Sequence, residues 1–295
     1  IAISQAFDKL KIKNSFLLNK KNKFINQNKI AGNYNWYKYK QRTIELIKNF
    51  DFVVLDSIKI SKKYLISIKN STKLIYINDY HRWVVNGVIH IDWTLFAKKN
   101  INKIEIIDDK VAPLRKPFWN TKEKIIKKKI ENILIFFGGS DVRKFSIKIA
   151  KLINKYNNNY KINIISPYKI NLKNVNCYKF LDQKKMNNFL SKADIVITSG
   201  GQTLYEMACL GVPGIVISET IYDIEDTIAW EKRGSIIYAG KWTNKNIEKK
   251  ILKSIIKIEQ KDIRLNLSRN GHKTIDGKGG IRLVKKILQN VRKNF

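Results

Sequence analysis

The chain has 295 residues, enough for two domains of about 100–200 residues each. Its 44% hydrophobic and 11% aromatic content excludes an intrinsically disordered protein, and no apolar run approaches the roughly 18 residues that a membrane-spanning helix needs. The formal net charge of +34 raises the possibility of a nucleic-acid binder. Only nine of the 58 basic residues are Arg, however, at positions 42, 82, 115, 143, 233, 264, 269, 282 and 292. The lysines are spread along the whole chain among Asn and Ile. A nucleic-acid surface clusters its cations and uses Arg forks, so the charge reads as a compositional bias. It favours phosphate-bearing substrates without implying a specific nucleic-acid partner.

Cys177 and Cys209 are too few for a disulfide framework or a four-Cys zinc site, and there are only three histidines. Both cysteines lie in apolar segments. They read as buried reduced thiols in a cytoplasmic protein that needs no metal and no cofactor.

In chain order, Ile3, Ala6, Phe7 and Leu10 have helical spacing, with neither a cap nor a signal-peptide pattern before them. The chain reads as starting inside a helix, its true N-terminus missing. A strand is predicted at 15–18, then a polar stretch at 19–29 and a helix at 42–49. Phe52-Val53-Val54-Leu55-Asp56 and Lys73-Leu74-Ile75-Tyr76-Ile77-Asn78-Asp79 are apolar runs that end in carboxylates, with a helix at 62–68 between them. Such alternation predicts a parallel sheet covered on both faces. Pro113 and Pro117 mark a junction, and the Lys-rich stretch 122–129 follows it. Strands are then predicted at 132–137, 161–166, 175–180, 194–198, 214–218 and 235–239, with helices in the gaps. Apolar residues at 281, 284, 287, 288 and 291 share one helical face. The expected fold is α/β, with two doubly wound Rossmann-like domains. Residues 1–118 form the first, 119–130 a linker and 131–295 the second, whose final helix crosses back. In such a pair, ligands bind at the carboxyl ends of the strands.

Two strand–turn–helix segments carry the chemistry. In Phe136-Phe137-Gly138-Gly139-Ser140-Asp141, glycines allow close backbone approach to an anion, and Asp141 can cap the following helix. In Asp194-Ile195-Val196-Ile197-Thr198-Ser199-Gly200-Gly201-Gln202-Thr203-Leu204-Tyr205-Glu206, a second glycine turn is followed by a carboxylate. Glu206 can accept hydrogen bonds from vicinal ribose hydroxyls, or it can complement the helix dipole from the first turn.

The run from Ser199 to Ile217 resembles the nucleotide-binding signature of the MurG-like, GT-B nucleotide-sugar enzymes. Leu114-Arg115-Lys116-Pro117-Phe118, Gly138-Gly139-Ser140-Asp141, Ser199–Glu206 and Asp276-Gly277-Lys278-Gly279-Gly280-Ile281-Arg282 together narrow the resemblance. They are similar to the PseG-like UDP-2,4-diacetamido-2,4,6-trideoxy-β-L-altropyranose hydrolases and the spore-coat SpsG-like proteins. The resemblance implies a GT-B-like architecture, UDP held mainly by the C-terminal domain, no metal and a monomer. It implies a hydrolase that releases UDP from a UDP-linked modified amino sugar, feeding nonulosonic-acid or surface-glycan synthesis. A GT-B glycosyltransferase and a nonenzymatic nucleotide-sugar binder are the alternatives.

The family's G-x-G-H histidine, its expected catalytic residue, would lie before Ile1. Its Asp-x-Tyr reads here as Asp56-Ser57-Ile58, and an Asn-Gln pair appears as Asp223-Ile224. The expected UDP-binding residues are Gly138, Gly139, Ser140, Ser199, Gly200, Gly201, Thr203 and Glu206. Asp56 and Asp79, at strand ends, are the expected catalytic carboxylates, with loop or cap stabilisation as their alternative role. His81 and Asp223 are expected on the sugar side. His90 is expected to pack beside Trp93, and His272 to lie in the turn before the last helix.

Overall fold

A computed structural model describes all residues except 21–24, 80, 98–104, 139, 140, 142 and 295, and only the backbone of Tyr222. The chain divides into two compact units. Unit 1 comprises residues 1–116 and 278–295, and unit 2 comprises residues 117–277.

In unit 1, β1 (Phe16–Leu18) and β2 (Ile30–Asn33) form a short parallel pair. A second, four-stranded parallel sheet runs β3 (Val53–Leu55), β4 (Leu74–Ile77), β5 (Ile89–Asp92) and β6 (Glu105–Ile107). Helices α1 (Ala2–Lys9), α2 (Lys40–Ile47) and α3 (Lys62–Lys69) complete its first segment. α3 forms because Ser61 caps it, accepting from the Tyr64 amide, and because Tyr64, Leu65 and Ile68 bury one face. That face meets Leu55, Leu74, Tyr76 and Val88 in the unit's core.

Unit 2 holds β7 (Asn132–Phe136), α4 (Phe145–Tyr156), β8 (Lys161–Ile165), β9 (Val175–Tyr178), α5 (Gln183–Lys192), β10 (Ile195–Thr198), α6 (Gln202–Leu210), β11 (Gly214–Ser218), α7 (Tyr222–Lys232), β12 (Ile237–Lys241), α8 (Ile247–Ile258) and α9 (Lys261–Thr274). The all-parallel sheet has the order β12-β11-β10-β7-β8-β9. Its central strands are apolar runs rich in Ile and Val because helices cover both faces. Ile133, Ile135, Ile195, Ile197, Ile215 and Ile217 anchor the core. Both units are Rossmann-like, and the architecture is of the GT-B type.

The stretch expected as a linker packs into unit 2, where Trp119, Ile126 and Ile130 are buried. The last helix, α10 (Gly279–Asn294), belongs to unit 1 and packs on α1. The glycines of the tail motif are steric. A Cβ on Gly277 would lie 2.1 Å from the Phe118 carbonyl oxygen, and one on Gly279 would lie 2.2 Å from that of Ala112. One histidine departs from expectation. His272 lies inside α9, where its Nδ1 is 2.9 Å from the Cys209 carbonyl oxygen. The spacing from Lys261 onward continues that helix through Thr274, so no turn begins at His272. His90 is a buried β5 residue whose ring meets Tyr76 edge-on. β5 pairs with β4, which sets His90 opposite Tyr76. Among the described residues, no helix is long and apolar enough to cross a membrane.

Candidate active site

Unit 2 places its two glycine turns where the strand order reverses. β7 and β10 lie side by side, while their following crossovers lead to opposite edges of the sheet. This leaves a crevice at their carboxyl ends. The Thr198 hydroxyl donates to the Phe136 carbonyl at 2.6 Å and ties the two strand ends together. Gly138 leaves β7 with φ 63°, and a Cβ there would have no atom within 4 Å. Gly201 turns into α6 with φ 93°, again with open space where a side chain would be. Gly200 is needed for the opposite reason. A Cβ on it would lie 2.9 Å from the Asp223 Cβ and 3.2 Å from the Thr227 hydroxyl. α6 starts at Gly201 without a side-chain cap, so its first-turn amides and positive dipole end face this turn.

Glu206 is the fifth residue of α6 and only 3% exposed, so it sits in the second turn rather than in the first. Complementing the helix dipole from the first turn is therefore not its role. Its charge reaches the Cys209 thiol, as does that of Asp276 from the tail motif. Burial, above all, pushes that thiol up to about 11. Cys209 also contacts the Phe118 carbonyl and Thr121, and it is an inert, buried thiol.

Asp141 is structural. Its Oδ1 accepts from the Phe145 amide at 2.8 Å and its Oδ2 from the Ser166 hydroxyl at 2.7 Å. α4 therefore begins four residues after Asp141, not directly at the glycine turn. Asp223, in the first turn of α7, accepts from the Thr220 amide at 3.1 Å and lies against the Gly200 turn. Glu219, just after β11, accepts from Ser199 and pairs with Arg143 at 3.2 Å. The Arg143 guanidinium stacks 4.5 Å over Trp242, and Trp242 meets Phe145 edge-on.

Unit 1 gathers a separate group at the carboxyl end of its sheet. Asp56 follows β3, Asp79 follows β4, and Asp92 ends β5. The His81 Nε2 lies 2.5 Å from Asp92 Oδ2, and the other Asp92 oxygen accepts from the Thr94 amide and hydroxyl. His81 has φ 50°, in the left-handed region that a non-glycine residue rarely adopts. Burial, reinforced by the carboxylates of Asp56 and Asp92, pushes Asp79 up to about 6. Partial desolvation also raises Asp56. Arg82 moderates both and donates to the Ser57 carbonyl at 2.9 Å.

No family model matches the chain. It is 26% identical over 266 residues to the spore coat polysaccharide biosynthesis protein SpsG of Bacillus subtilis, covering 83% of this chain and 78% of that protein. It is also 26% identical over 196 residues to the pseudaminic acid cytidylyltransferase and UDP-2,4-diacetamido-2,4,6-trideoxy-beta-L-altropyranose hydrolase of Helicobacter pylori. That match covers 61% of this chain but only 37% of the longer protein. The chain thus resembles the SpsG/PseG-like proteins. The MnaA–UDP co-structure from S. aureus superposes with a TM-score of 0.63 at 14% identity, covering 98% of this chain and 86% of that one. The corresponding values for Acinetobacter baumannii MurG are 0.58, 11%, 98% and 94%.

The expected residues fall into two groups. Gly138, Ser199, Gly200, Gly201, Thr203 and Asp223 gather at the unit 2 strand ends or the start of the next helix, with Glu206 one turn further along α6. Asp56, Asp79 and His81 gather in unit 1. Gly139 and Ser140 lie outside the described residues. Sequence reasoning missed Arg143, Glu219, Trp242 and Asp92. The first three come from loops after three different strands, and no local spacing joins them.

Proposed function

We propose that this chain hydrolyses a UDP-linked modified amino sugar, releasing UDP and the free sugar for polysaccharide synthesis. One observation carries the nucleotide assignment. Two glycine turns and an uncapped helix start meet at the crossover point of the unit 2 sheet, with buried Glu206 on the same helix. The relatives support the sugar class, because the H. pylori protein is named for such a hydrolase and SpsG for polysaccharide biosynthesis.

In this reading, unit 2 binds UDP through Gly138, Ser199, Gly200, Gly201 and Thr203, with Glu206 accepting from the ribose hydroxyls. Water attacks the anomeric carbon, and the C–O bond to the diphosphate breaks with its electron pair leaving on UDP. Negative charge develops on the leaving diphosphate, which the amides and dipole of α6 stabilise. The water proton passes to a carboxylate. Asp79, pushed up to about 6, is suited to accept it near neutral pH, with Asp56 assisting.

The test is UDP release from purified UDP-amino sugars with no acceptor added. Stoichiometric UDP and reducing sugar support hydrolysis. UDP that appears only after an acceptor is added makes the protein a transferase, and UDP binding without turnover makes it a binder. Glu206→Gln is expected to keep the fold and weaken UDP binding by one to two decades. The basis is a charge-assisted hydrogen bond worth about 1.5–3 kcal/mol. Calorimetric titration of UDP into both proteins checks this, and unchanged affinity would take Glu206 out of the site.

A further inference from the structure

This inference rests on the nucleotide reading of unit 2 and concerns the charge of that site. A nucleoside diphosphate brings concentrated negative charge to a turn that is already crowded with carboxylates. Glu219 accepts from Ser199 within the turn itself. Asp223 lies against Gly200, and Asp141 lies buried on the β7 side, close enough to raise Glu219 further. At an effective dielectric constant near 20, like charges about 4 Å apart repel by roughly 4 kcal/mol. An anion in this crevice therefore requires a cation.

Arg143 is a cation that touches this group. One guanidinium nitrogen contacts one Glu219 oxygen at 3.2 Å, so the pair is not the two-pronged fork that Arg and carboxylate form at their strongest. The side chain is 38% exposed, and the guanidinium carbon lies over the Trp242 ring, 4.5 Å from its centre. Trp242 is itself held against Phe145, the first residue of α4. An aromatic platform keeps a planar cation oriented while leaving its edge able to donate.

We propose that Arg143 is the diphosphate-reading residue of this site. In the free protein, Glu219 and Trp242 hold it. When nucleotide binds, the guanidinium exchanges Glu219 for the diphosphate and pivots on Trp242, so the site selects a nucleoside diphosphate over the monophosphate or the bare nucleoside. Glu219 is the competitor that holds Arg143 in the empty site, and Ser199 keeps that carboxylate hydrogen-bonded after the exchange.

The rival account is that Arg143–Glu219 only staples the loop after β7 to the end of β11. The two accounts differ in what they do to ligands of different charge. Calorimetric titrations of UDP, UMP and uridine into wild type, Arg143→Met and Glu219→Gln separate them. Arg143→Met is expected to weaken UDP binding about 10- to 100-fold, the span of a lost charge-assisted hydrogen bond, and to leave uridine within about threefold. Arg143→Lys is expected to fall between, since it keeps the charge and loses the fork. Glu219→Gln is expected to tighten UDP several-fold, because it removes both the competitor and a like charge.

Equal losses for UDP and uridine in Arg143→Met, or a weaker UDP complex in Glu219→Gln, would overturn the proposal and leave the staple. UDP binding that is unchanged in Arg143→Met would overturn it while the nucleotide reading stands. Wild-type protein that binds neither UDP nor uridine would overturn both.

Discussion

Asp79→Asn is expected to raise the melting temperature at pH 7.5 while lowering turnover about 10²- to 10⁴-fold, the range supplied by a positioned general base. The stability arm follows from linkage. The folded chain holds Asp79 at about 6, above the ordinary 3.8, because burial and the carboxylates of Asp56 and Asp92 disfavour its charge. The folded state therefore binds this proton more tightly than the unfolded chain does. Stability is greatest below the unfolded value and declines as pH rises from about 4 through about 6. Above that window, the penalty has a ceiling of about 3 kcal/mol, and screening at a partly exposed group brings it to about 1–2 kcal/mol. Asn removes the charge, so the mutant should melt higher at neutral pH and match wild type near pH 4. The activity arm has the opposite sign, since the base is needed ionised and wild-type rate should climb with pH through about 6. Melting curves at pH 4 and 7.5, beside a pH–rate profile, check both arms. A mutant that melts lower at pH 7.5 and turns over normally would remove Asp79 from both roles.

The second large effect is expected at Arg264→Met. Arg264 is 1% exposed and donates to four carbonyls. Its Nη1 reaches Ile258 at 2.8 Å and Glu259 at 2.7 Å, at the end of α8. Its Nη2 reaches Lys127 at 2.8 Å and Lys128 at 3.0 Å. The carbonyls at the end of α8 have no partner within that helix, and those of the Lys-rich segment have no ladder, so one side chain satisfies both. Met fills similar volume and donates nothing. With several buried carbonyls left unsatisfied at about 1–3 kcal/mol each, relaxation included, a loss of about 3–5 kcal/mol is expected in denaturant unfolding. A loss below about 1 kcal/mol would mean that water takes over those carbonyls.

These two residues mark how far the sequence can be read. The strands of unit 2 were legible because Ile133–Phe136, Ile195–Ile197 and Gly214–Ile217 are unbroken apolar runs, which only a sheet covered on both faces requires. β5 was not, because Ile-His-Ile-Asp alternates as if one face were wet, yet all four residues are buried. His90 packs on Tyr76, and Asp92 is satisfied by His81 and Thr94. Tertiary partners supplied what periodicity could not show. At the candidate site, the glycine turns announced themselves by spacing, whereas Glu206 was placed one turn too early because α6 starts only after Gly201. Arg143, Glu219 and Trp242 were invisible because their association is made by the sheet, which brings together the ends of β7, β11 and β12.

The return of α10 to unit 1 bears on how the chain is made. Unit 2 is one uninterrupted stretch of sequence, whereas unit 1 is interrupted after Lys116 and resumes at Lys278. During synthesis, unit 2 has all its strands in hand before α10 leaves the ribosome, and domains tend to fold as units in the order they emerge. The α1 face that packs on α10 must wait, with Ala6 uncovered, until the last helix arrives. A nascent chain stalled before Lys278 would thus carry a finished unit 2 and an unfinished, sticky unit 1. Its exposure to chaperones and proteases would be set by unit 1 alone.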